Sequence, residues 1–213
     1  MENSQLLCEL LTRYPALSSC KEEILRAAEM MLEVYRHGGK ILVLGNGGSA
    51  SDSEHIVGEL MKGFMKKRDM SEPMKEKFRA KLGERADRLV ESLQCAIPAI
   101  SLPSQCGVLS AFANDVDPEL VYAQLVMGYG RKGDLLIAIS TSGNSKNAVA
   151  AVEVASVLGV RTVALTGGSD SALSAICDLT VKVPESETFK VQELHLPVYH
   201  YLCAFVENEA FEY

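Results

Sequence analysis

The chain has 213 residues, of which 47% are hydrophobic and 23% charged, and its 28 acidic and 21 basic residues give a formal net charge of −7. This length and composition are typical of one compact globular domain. The acidic balance, together with the absence of tryptophan and of any dense stripe of lysine and arginine, argues against a nucleic-acid-binding protein.

Membrane insertion and secretion also find no support in the sequence. No apolar run reaches the roughly 20 residues that a membrane-spanning helix needs, and the first residues lack the basic start and apolar core of a signal peptide. The six cysteines are scattered without a CxxC pair, so we expect free thiols in a reducing compartment. The sequence therefore predicts a soluble cytoplasmic protein with no membrane partner.

The first 39 residues predict two helices. Leucines at positions 6, 7, 10 and 11 indicate a short amphipathic helix. Apolar residues at helical spacing over 24–35 indicate a longer one, which we expect Gly38-Gly39 to end. Two helices ahead of the first strand need a surface for their apolar faces, and a helical partner or a second subunit would provide it.

From residue 40 onward, short runs of β-branched and aliphatic residues alternate with helical segments. The runs occupy residues 41–44, 96–102, 135–139, 162–165 and 179–183. Continuous apolar runs are typical of parallel strands buried on both faces. Their alternation with helices predicts an α/β fold, a doubly wound five-stranded parallel sheet flanked by helices. Between the runs, Asp117-Pro118 is typical of a helix start and Gly159 of a helix end.

Residues 66–94 interrupt this alternation. They are charged and helix-prone and contain no strand pattern, so we expect one long helix over about 73–93, as an insertion within 66–94. No internal repeat, low-complexity tract or linker divides the chain. Residues 1–213 are therefore expected to form a single domain, with N-terminal helices over 1–39.

A glycine-rich loop follows the first strand and opens a helix, with the sequence Gly45-Asn46-Gly47-Gly48-Ser49-Ala50. A loop in this place directs backbone N–H groups and a helix dipole at an anion above the sheet. It also matches the dinucleotide pattern GxGxxG/A, which requires an acidic residue at the end of a second strand about 20 residues on. That position falls within residues 64–67, where no strand is predicted, so a dinucleotide site is not expected.

A second loop follows the third strand, with the sequence Ser140-Thr141-Ser142-Gly143-Asn144-Ser145. Capping of the next helix explains one of these hydroxyls, but four are more than capping requires. Hydroxyls and free amides at a helix N-terminus suit a phosphate monoester. We therefore expect the two loops to bind phosphate together.

The paired loops resemble those of the sugar isomerase (SIS) fold, and over about residues 1–64 and 95–208 the chain is similar to the phosphoheptose isomerase family. The resemblance implies an intramolecular oxidoreductase that converts sedoheptulose 7-phosphate to D-glycero-D-manno-heptose 7-phosphate. It also implies a homotetramer with active sites at subunit interfaces. The alternatives are an isomerase of another phosphorylated or sulfonated ketose, a metal-free SIS isomerase, and a non-catalytic SIS module that senses a sugar phosphate or docks on a protein.

The histidines add a possible metal site. His55 and Glu59 are four residues apart and share one helix face, a spacing that by itself favours a surface hydrogen bond over a metal site. Gln192 and His200 are eight apart, about 80° around a helix, whereas His195 lies about 140° from His200. His195 is therefore expected to be structural and is the reserve candidate ligand, and His37 is expected to be a helix C-terminal residue with no chemical role. Between Gln192 and His200 stands Pro197, which is expected to bend the helix.

The family resemblance extends to a zinc ion and to individual roles. It implies one zinc per site, and nitrogen and oxygen donors suit that metal. It also implies that Glu59 abstracts a proton and His200 serves as the partner acid/base of an enediol mechanism in which zinc polarises the carbonyl. The implied zinc ligands are His55, Glu59, Gln192 and His200. The expected substrate contacts are Asn46, Gly47, Gly48, Ser49, Asn114, Asp115, Ser140, Thr141, Ser142, Ser145 and Gln192.

Three features leave the identity of the sugar undecided. Asn114-Asp115 matches a family pair that contacts sugar hydroxyls, but it is equally compatible with an Asx turn before Asp117. Phe189 stands three residues before Gln192, where family members have an acidic residue. The insertion 66–94 continues from the helix of His55 and could line or cover the site. The last two departures fall where the sugar, rather than its phosphate, is expected.

Overall fold

A computed structural model describes residues 2–211 and contains a five-stranded sheet in the order β2-β1-β3-β4-β5. Every pairing in it is parallel, as predicted. The strands are β1 (Ile41–Gly45), β2 (Ala99–Ser101), β3 (Leu135–Ile139), β4 (Arg161–Thr166) and β5 (Leu179–Lys182). Successive connections run to opposite sides of β1, so the strand order reverses between β1 and β3.

Ten α-helices lie within the described residues. They are α1 (Asn3–Arg13), α2 (Lys21–Arg36), α3 (Gly48–Met61), α4 (Glu72–Leu82), α5 (Ala86–Ser92), α6 (Cys106–Asp115), α7 (Val121–Tyr129), α8 (Lys146–Leu158), α9 (Ala172–Ile176) and α10 (Thr188–Ala210). Helices α2, α3 and α10 cover one face of the sheet, and α7 and α8 cover the other. No helix of residues 2–211 combines the length and apolarity needed to cross a membrane.

Burial on both faces explains the continuous apolar runs. In β1, Ile41 and Val43 belong to the layer of α2 and α10, whereas Leu42 and Leu44 belong to the layer of α7 and α8. All four side chains are fully buried. Each contributes about 1.5–3 kcal/mol relative to an exposed position, so a polar residue at any of them would destabilise the sheet.

The N-terminal helices find most of their partners within the chain. Helix α2 packs on α10 and the sheet, and its apolar face, including Ile24, Ala28 and Met31, is buried. Helix α1 packs on α10 through buried Leu10. The apolar face of α2 therefore needs no second subunit to cover it.

The prediction of one long helix in the insertion is wrong. A 3₁₀ turn, Gly83–Arg85, separates α4 from α5, and Gly83 has a φ of +59° that other residues rarely adopt. The break lets Ala86 and Val90 of α5 pack with Met70 in a small apolar cluster of their own. A charged, helix-prone sequence does not reveal this separate core.

The predicted helix boundaries near 117 and 159 are confirmed. The Asp117 side chain accepts a hydrogen bond of 2.8 Å from the Glu119 backbone N–H and opens a 3₁₀ turn, Pro118–Leu120, that leads into α7. Gly159 ends α8 in the left-handed conformation. Helix α10 continues through Pro197, so Gln192 and His200 lie on one helix about 12 Å apart along its axis.

Candidate active site

The two predicted loops meet above the carboxyl ends of β1 and β3. This is the point where the strand order reverses, the usual place for a ligand in an open parallel sheet. The side-chain amides of Asn46 and Asn147 exchange two hydrogen bonds, 2.9 and 3.0 Å long, and thereby join the first loop to α8. Sequence reasoning missed Asn147, whose partner is 101 residues away.

A cavity of about 310 Å³ opens between the loops. This volume suits a small phosphorylated metabolite. The cavity is lined by Asn46, Gly47, Gly48, Ser49, Ile139, Ser140, Thr141, Ser145, Thr188 and Gln192. Eight of these were predicted substrate contacts, whereas Ile139 and Thr188 were not. The described residues of the insertion 66–94 do not line it.

Two glycines shape the first loop. Gly47 has a φ of +56°, which places glycine at the turn into α3. At Gly48, a Cβ atom would stand 2.4 Å from Nε2 of Gln192. The absence of a side chain at Gly48 therefore lets the Gln192 amide lie against the first turn of α3.

Some hydroxyls of the second loop line the cavity, and one bonds within the loop itself. Ser140 and Ser145 line the cavity, and their hydroxyls are 3.0 Å apart. Ser142 instead accepts a hydrogen bond of 3.2 Å from the Asn144 backbone N–H. Asn144 in turn accepts one of 2.9 Å from the Ala172 N–H at the start of α9. Ser142 thus shapes the loop and does not face the cavity.

Asn114 and Asp115 lie outside this cavity. Both are exposed at the end of α6, where the Asn114 amide donates a hydrogen bond of 2.8 Å to the Asp115 carboxylate. A sugar bound in the cavity of the same chain does not meet them there. Their role as sugar contacts stays a prediction.

Three of the four implied zinc ligands lie together where α3 packs against α10. Nε2 of His55 is 3.3 Å from Oε1 of Glu59 and 3.5 Å from Nε2 of His200. The other oxygen of Glu59 pairs with Lys62 at 3.1 Å. Burial lowers the pKa of His200, as does the neighbouring His55, whereas Glu59 raises it. Gln192 lies about two turns before His200, against Gly48, and is not part of this cluster.

The other ring nitrogen of His55, Nδ1, contacts Tyr199, which in turn contacts Asp52. Sequence reasoning missed both residues. Nδ1 of His55 is 3.1 Å from the hydroxyl of Tyr199, which donates a hydrogen bond of 3.2 Å to Oδ1 of Asp52. Burial raises the pKa of Asp52, and the Tyr199 hydrogen bond and the neighbouring His55 oppose that shift. The available signals were Asp52 one helical turn before His55 and Tyr199 beside His200.

The donor atoms around His55 suit a zinc ion. A tetrahedral site with bonds of about 2.0–2.2 Å has ligand atoms about 3.3–3.6 Å apart, and both separations at His55 Nε2 fall at these values. Among residues 2–211, no group of three or more His, Cys, Asp or Glu side chains is already closed into a metal-holding arrangement. The two separations therefore match two edges of such a tetrahedron, and holding a metal would require further side-chain movement.

Comparison with known proteins identifies the family. Models of the SIS domain match residues 107–205 and 11–75. Phosphoheptose isomerases of Aneurinibacillus thermoaerophilus and Roseiflexus sp. (strain RS-1) are 34% and 36% identical to this chain, each over 89% of it and over 85% and 83% of the relative. The chain belongs to the phosphoheptose isomerase family. It is therefore an isomerase.

The fold agrees with this family. The structure of a phosphoheptose isomerase from Neisseria gonorrhoeae aligns with a TM-score of 0.72 at 28% identity, covering 96% of this chain and 97% of that one. The predicted SIS fold and its five-stranded parallel sheet are thereby confirmed.

The remaining histidines of this family member lie outside the cluster. His195 is fully buried, with Nε2 3.3 Å from the carbonyl oxygen of Thr166 at the end of β4 and Nδ1 buried without a partner among the described residues. His37 ends α2, and its Nδ1 lies 2.7 Å from the Glu33 carbonyl oxygen. Both positions agree with the structural roles expected for them.

The buried His195 is expected to make stability depend on pH. Burial lowers its pKa from 6.5 to about 4, so between these values the unfolded chain binds more protons than the folded one. The free energy of unfolding then falls as the pH falls through this window, by about 2–3 kcal/mol at pH 4.5, and the effect disappears above about pH 7.5.

Urea unfolding at pH 7 and pH 4.5 measures this dependence. The difference between the two pH values should be smaller in His195→Asn than in the native chain, because the variant lacks the buried imidazole. His37→Asn is the matched control and should keep the native difference, since His37 is exposed. Equal pH dependence in the native chain and His195→Asn would contradict the prediction.

Proposed function

We propose that the protein interconverts the ketose and aldose forms of a sugar phosphate through an enediol, with sedoheptulose 7-phosphate and D-glycero-D-manno-heptose 7-phosphate as the substrate pair. The observation that carries this proposal is that the first turns of α3 and α10 line a hydroxyl-rich cavity, and the same two helices carry the cluster of His55, Glu59 and His200. The relatives named phosphoheptose isomerase support the choice of substrate.

The cavity is the proposed phosphate site. Hydroxyls of Ser140, Thr141 and Ser145 and the start of α3 surround it, and such donors stabilise phosphate oxygens without a fixed cation. From Gly48 to His55 is seven residues, or about 10 Å along α3. This distance supports a substrate with several carbons between its phosphate and its carbonyl group.

Glu59 and His200 are the proposed proton-transfer groups. Isomerisation moves a proton between neighbouring carbons, which needs a base at one and an acid/base at the other. The Glu59 carboxylate accepts the proton from one carbon. His200, with its pKa lowered by burial, is neutral near pH 7 and can exchange a proton at the other carbon or its oxygen.

We further propose that His55, Glu59, His200 and Gln192 hold one zinc ion. When bound, zinc supplies a Lewis acid that polarises the substrate carbonyl. The distances from Nε2 of His55 to Oε1 of Glu59 and Nε2 of His200 support this assignment. To join the set, Gln192 would turn its side chain away from Gly48, and Glu59 would act as a base only when it is not bound to the metal.

The proposed assembly is a homotetramer in the cytoplasm, with sites near subunit interfaces. An apolar groove of about 360 Å³ between α1 and α10 reaches His200, and its lining includes Leu6, Leu10 and Phe64. A groove of this kind beside the cluster supports a neighbouring subunit close to the site. The six cysteines, all within the described residues, are free thiols, which supports a reducing compartment.

Another phosphorylated or sulfonated ketose is the second candidate substrate. Phe189 is the observation that favours it, because this residue is 56% exposed and directly follows Thr188, which lines the cavity. A phenyl ring accepts no conventional hydrogen bonds from sugar hydroxyls, whereas an acidic side chain at this position would.

The deciding experiment combines metal analysis with turnover of sedoheptulose 7-phosphate. We expect close to one zinc per chain and activity that a chelator removes and added zinc restores. His55→Gln should lose zinc and activity, whereas His37→Gln, at an exposed histidine outside the cluster, should keep both. Zinc without turnover would reject this substrate and direct assays to other ketose phosphates or sulfonates. Absence of both zinc and turnover would overturn the proposed mechanism and favour a binding module.

A further inference from the structure

We propose that Tyr199 is a positioning residue for His55, and that its hydroxyl fixes the imidazole tautomer whose Nε2 is free to bind a metal. The metal part of this inference rests on the proposed function. The tautomer part concerns the metal-free chain and stands independently. The evidence is one line of hydrogen bonds that joins Asp52, Tyr199 and His55 across α3 and α10.

The direction of these bonds follows from the groups involved. An ionised carboxylate only accepts hydrogen bonds, so the Tyr199 hydroxyl donates its single proton to Oδ1 of Asp52. Towards His55 the hydroxyl oxygen can then only accept. Nδ1 of His55, 3.1 Å away, must therefore carry a proton.

The proton on Nδ1 determines the state of the other ring nitrogen, Nε2. A neutral imidazole has one N–H, so a proton held on Nδ1 leaves Nε2 with a lone pair. That lone pair lies 3.3 Å from the Glu59 carboxylate and 3.5 Å from Nε2 of His200. Without a cation or a proton these groups repel one another, and with a cation each becomes a ligand. Tyr199 thus prepares His55 to bind metal.

These hydrogen bonds lie partly buried between two helices. Tyr199 is 1% exposed and precedes His200 on α10, so one turn of that helix delivers both the orienting hydroxyl and the second imidazole. Asp52 lies one turn before His55 on α3. Its other oxygen, Oδ2, is buried without a hydrogen-bond partner among the described residues, so Tyr199 supplies the hydrogen bond that this carboxylate receives.

Tyr199→Phe tests the inference, and the same helix offers a matched control. Tyr201 is also buried, but its hydroxyl has no hydrogen-bond partner among the described residues, so Tyr201→Phe removes an equivalent group that is not bonded. Competition with a chromogenic chelator measures zinc affinity. Nitrogen-15 NMR of the ring nitrogens in the metal-free protein measures the tautomer of His55.

We expect Tyr199→Phe to weaken zinc binding about 10–100-fold, the range found when groups that orient a ligating histidine are removed. In the same variant, His55 should shift from the Nδ1–H towards the Nε2–H tautomer. Tyr201→Phe should change neither quantity. If Tyr199→Phe does not fold, Asp52→Ala tests the same bonds from their other end, because it removes the acceptor of the Tyr199 hydroxyl; weaker zinc binding and the same tautomer shift are expected.

Two results would overturn the inference: Nε2–H as the main tautomer of His55 in the native metal-free chain, or unchanged zinc affinity in Tyr199→Phe. Failure of the proposed function is distinguishable from both. If the native chain binds no zinc, the metal assignment falls, while the tautomer measurement on the metal-free protein still decides what Tyr199 does.

Discussion

Glu59→Gln is expected to lower kcat by about 10²–10⁴-fold, the contribution of a positioned general base, while the variant still binds the sugar phosphate. Glutamine keeps the shape of the side chain and loses the ability to accept the substrate proton. Phosphate binding should persist because Gly48, which lines the cavity, lies eleven residues or about 16 Å from Glu59 along α3. Steady-state kinetics at saturating zinc, with calorimetric titration of the sugar phosphate, separates the two effects.

A second glutamate on α3 provides the control for this prediction. Glu54 is exposed and bonds Ser104 at 2.9 Å, away from the cluster. Glu54→Gln should therefore keep native kcat. An active Glu59→Gln enzyme would falsify the assignment of Glu59 as the base. Zinc content must be measured in both variants, because Glu59 is also a proposed metal ligand and loss of the metal would mimic loss of the base.

The sheet and its loops were predictable because local sequence determines them. A strand buried on both faces needs only apolar residues, so β3 was located over 135–139 without knowledge of its neighbours. Glycines and hydroxyls at the carboxyl ends of β1 and β3 then marked the cavity, because parallel strands bring those ends to one edge. The resemblance to a known family added the identities of the proposed metal ligands.

Contacts between distant segments were not predictable in this way. The bonds of Tyr199 to His55 and Asp52 span 144 and 147 residues, and they depend on how α3 and α10 pack. Spacing on a single helix cannot show such contacts. The prediction of one helix in residues 66–94 failed for a related reason, because the break at Gly83 depends on the apolar cluster that α4 and α5 form together.

A fully buried ion pair secures the far end of the same two helices. Nε of Arg68 is 2.7 Å from Oε1 of Glu207 at the C-terminal end of α10, and neither side chain is exposed to solvent. The Glu207 carboxylate also accepts three backbone N–H bonds from residues 64–66. Arg68 donates to the carbonyl oxygens of Leu60 and Glu59 at 2.6 and 3.0 Å. The pair therefore holds the end of the helix that carries the proposed base.

Glu207→Gln is expected to destabilise the protein by about 3–5 kcal/mol, the cost of removing one partner from a buried ion pair. The variant leaves the Arg68 guanidinium charge buried without its carboxylate, and an amide NH₂ group faces backbone N–H donors. With about 2–4 °C per kcal/mol for a chain of this size, the Tm should fall by about 6–20 °C. Calorimetry and urea unfolding at pH 7 measure the two quantities.

Removing Arg68 and removing Glu207 should cost different amounts of stability. Arg68→Met leaves Glu207 with its three backbone donors, so we expect a smaller loss of stability than in Glu207→Gln. Glu119→Gln breaks the exposed pair with Lys146 and should leave the stability nearly unchanged. A Glu207→Gln protein as stable as this surface variant would mean that the carboxylate does not hold the segment after α3. The proposed base would then owe its position to α3 and α10 packing alone.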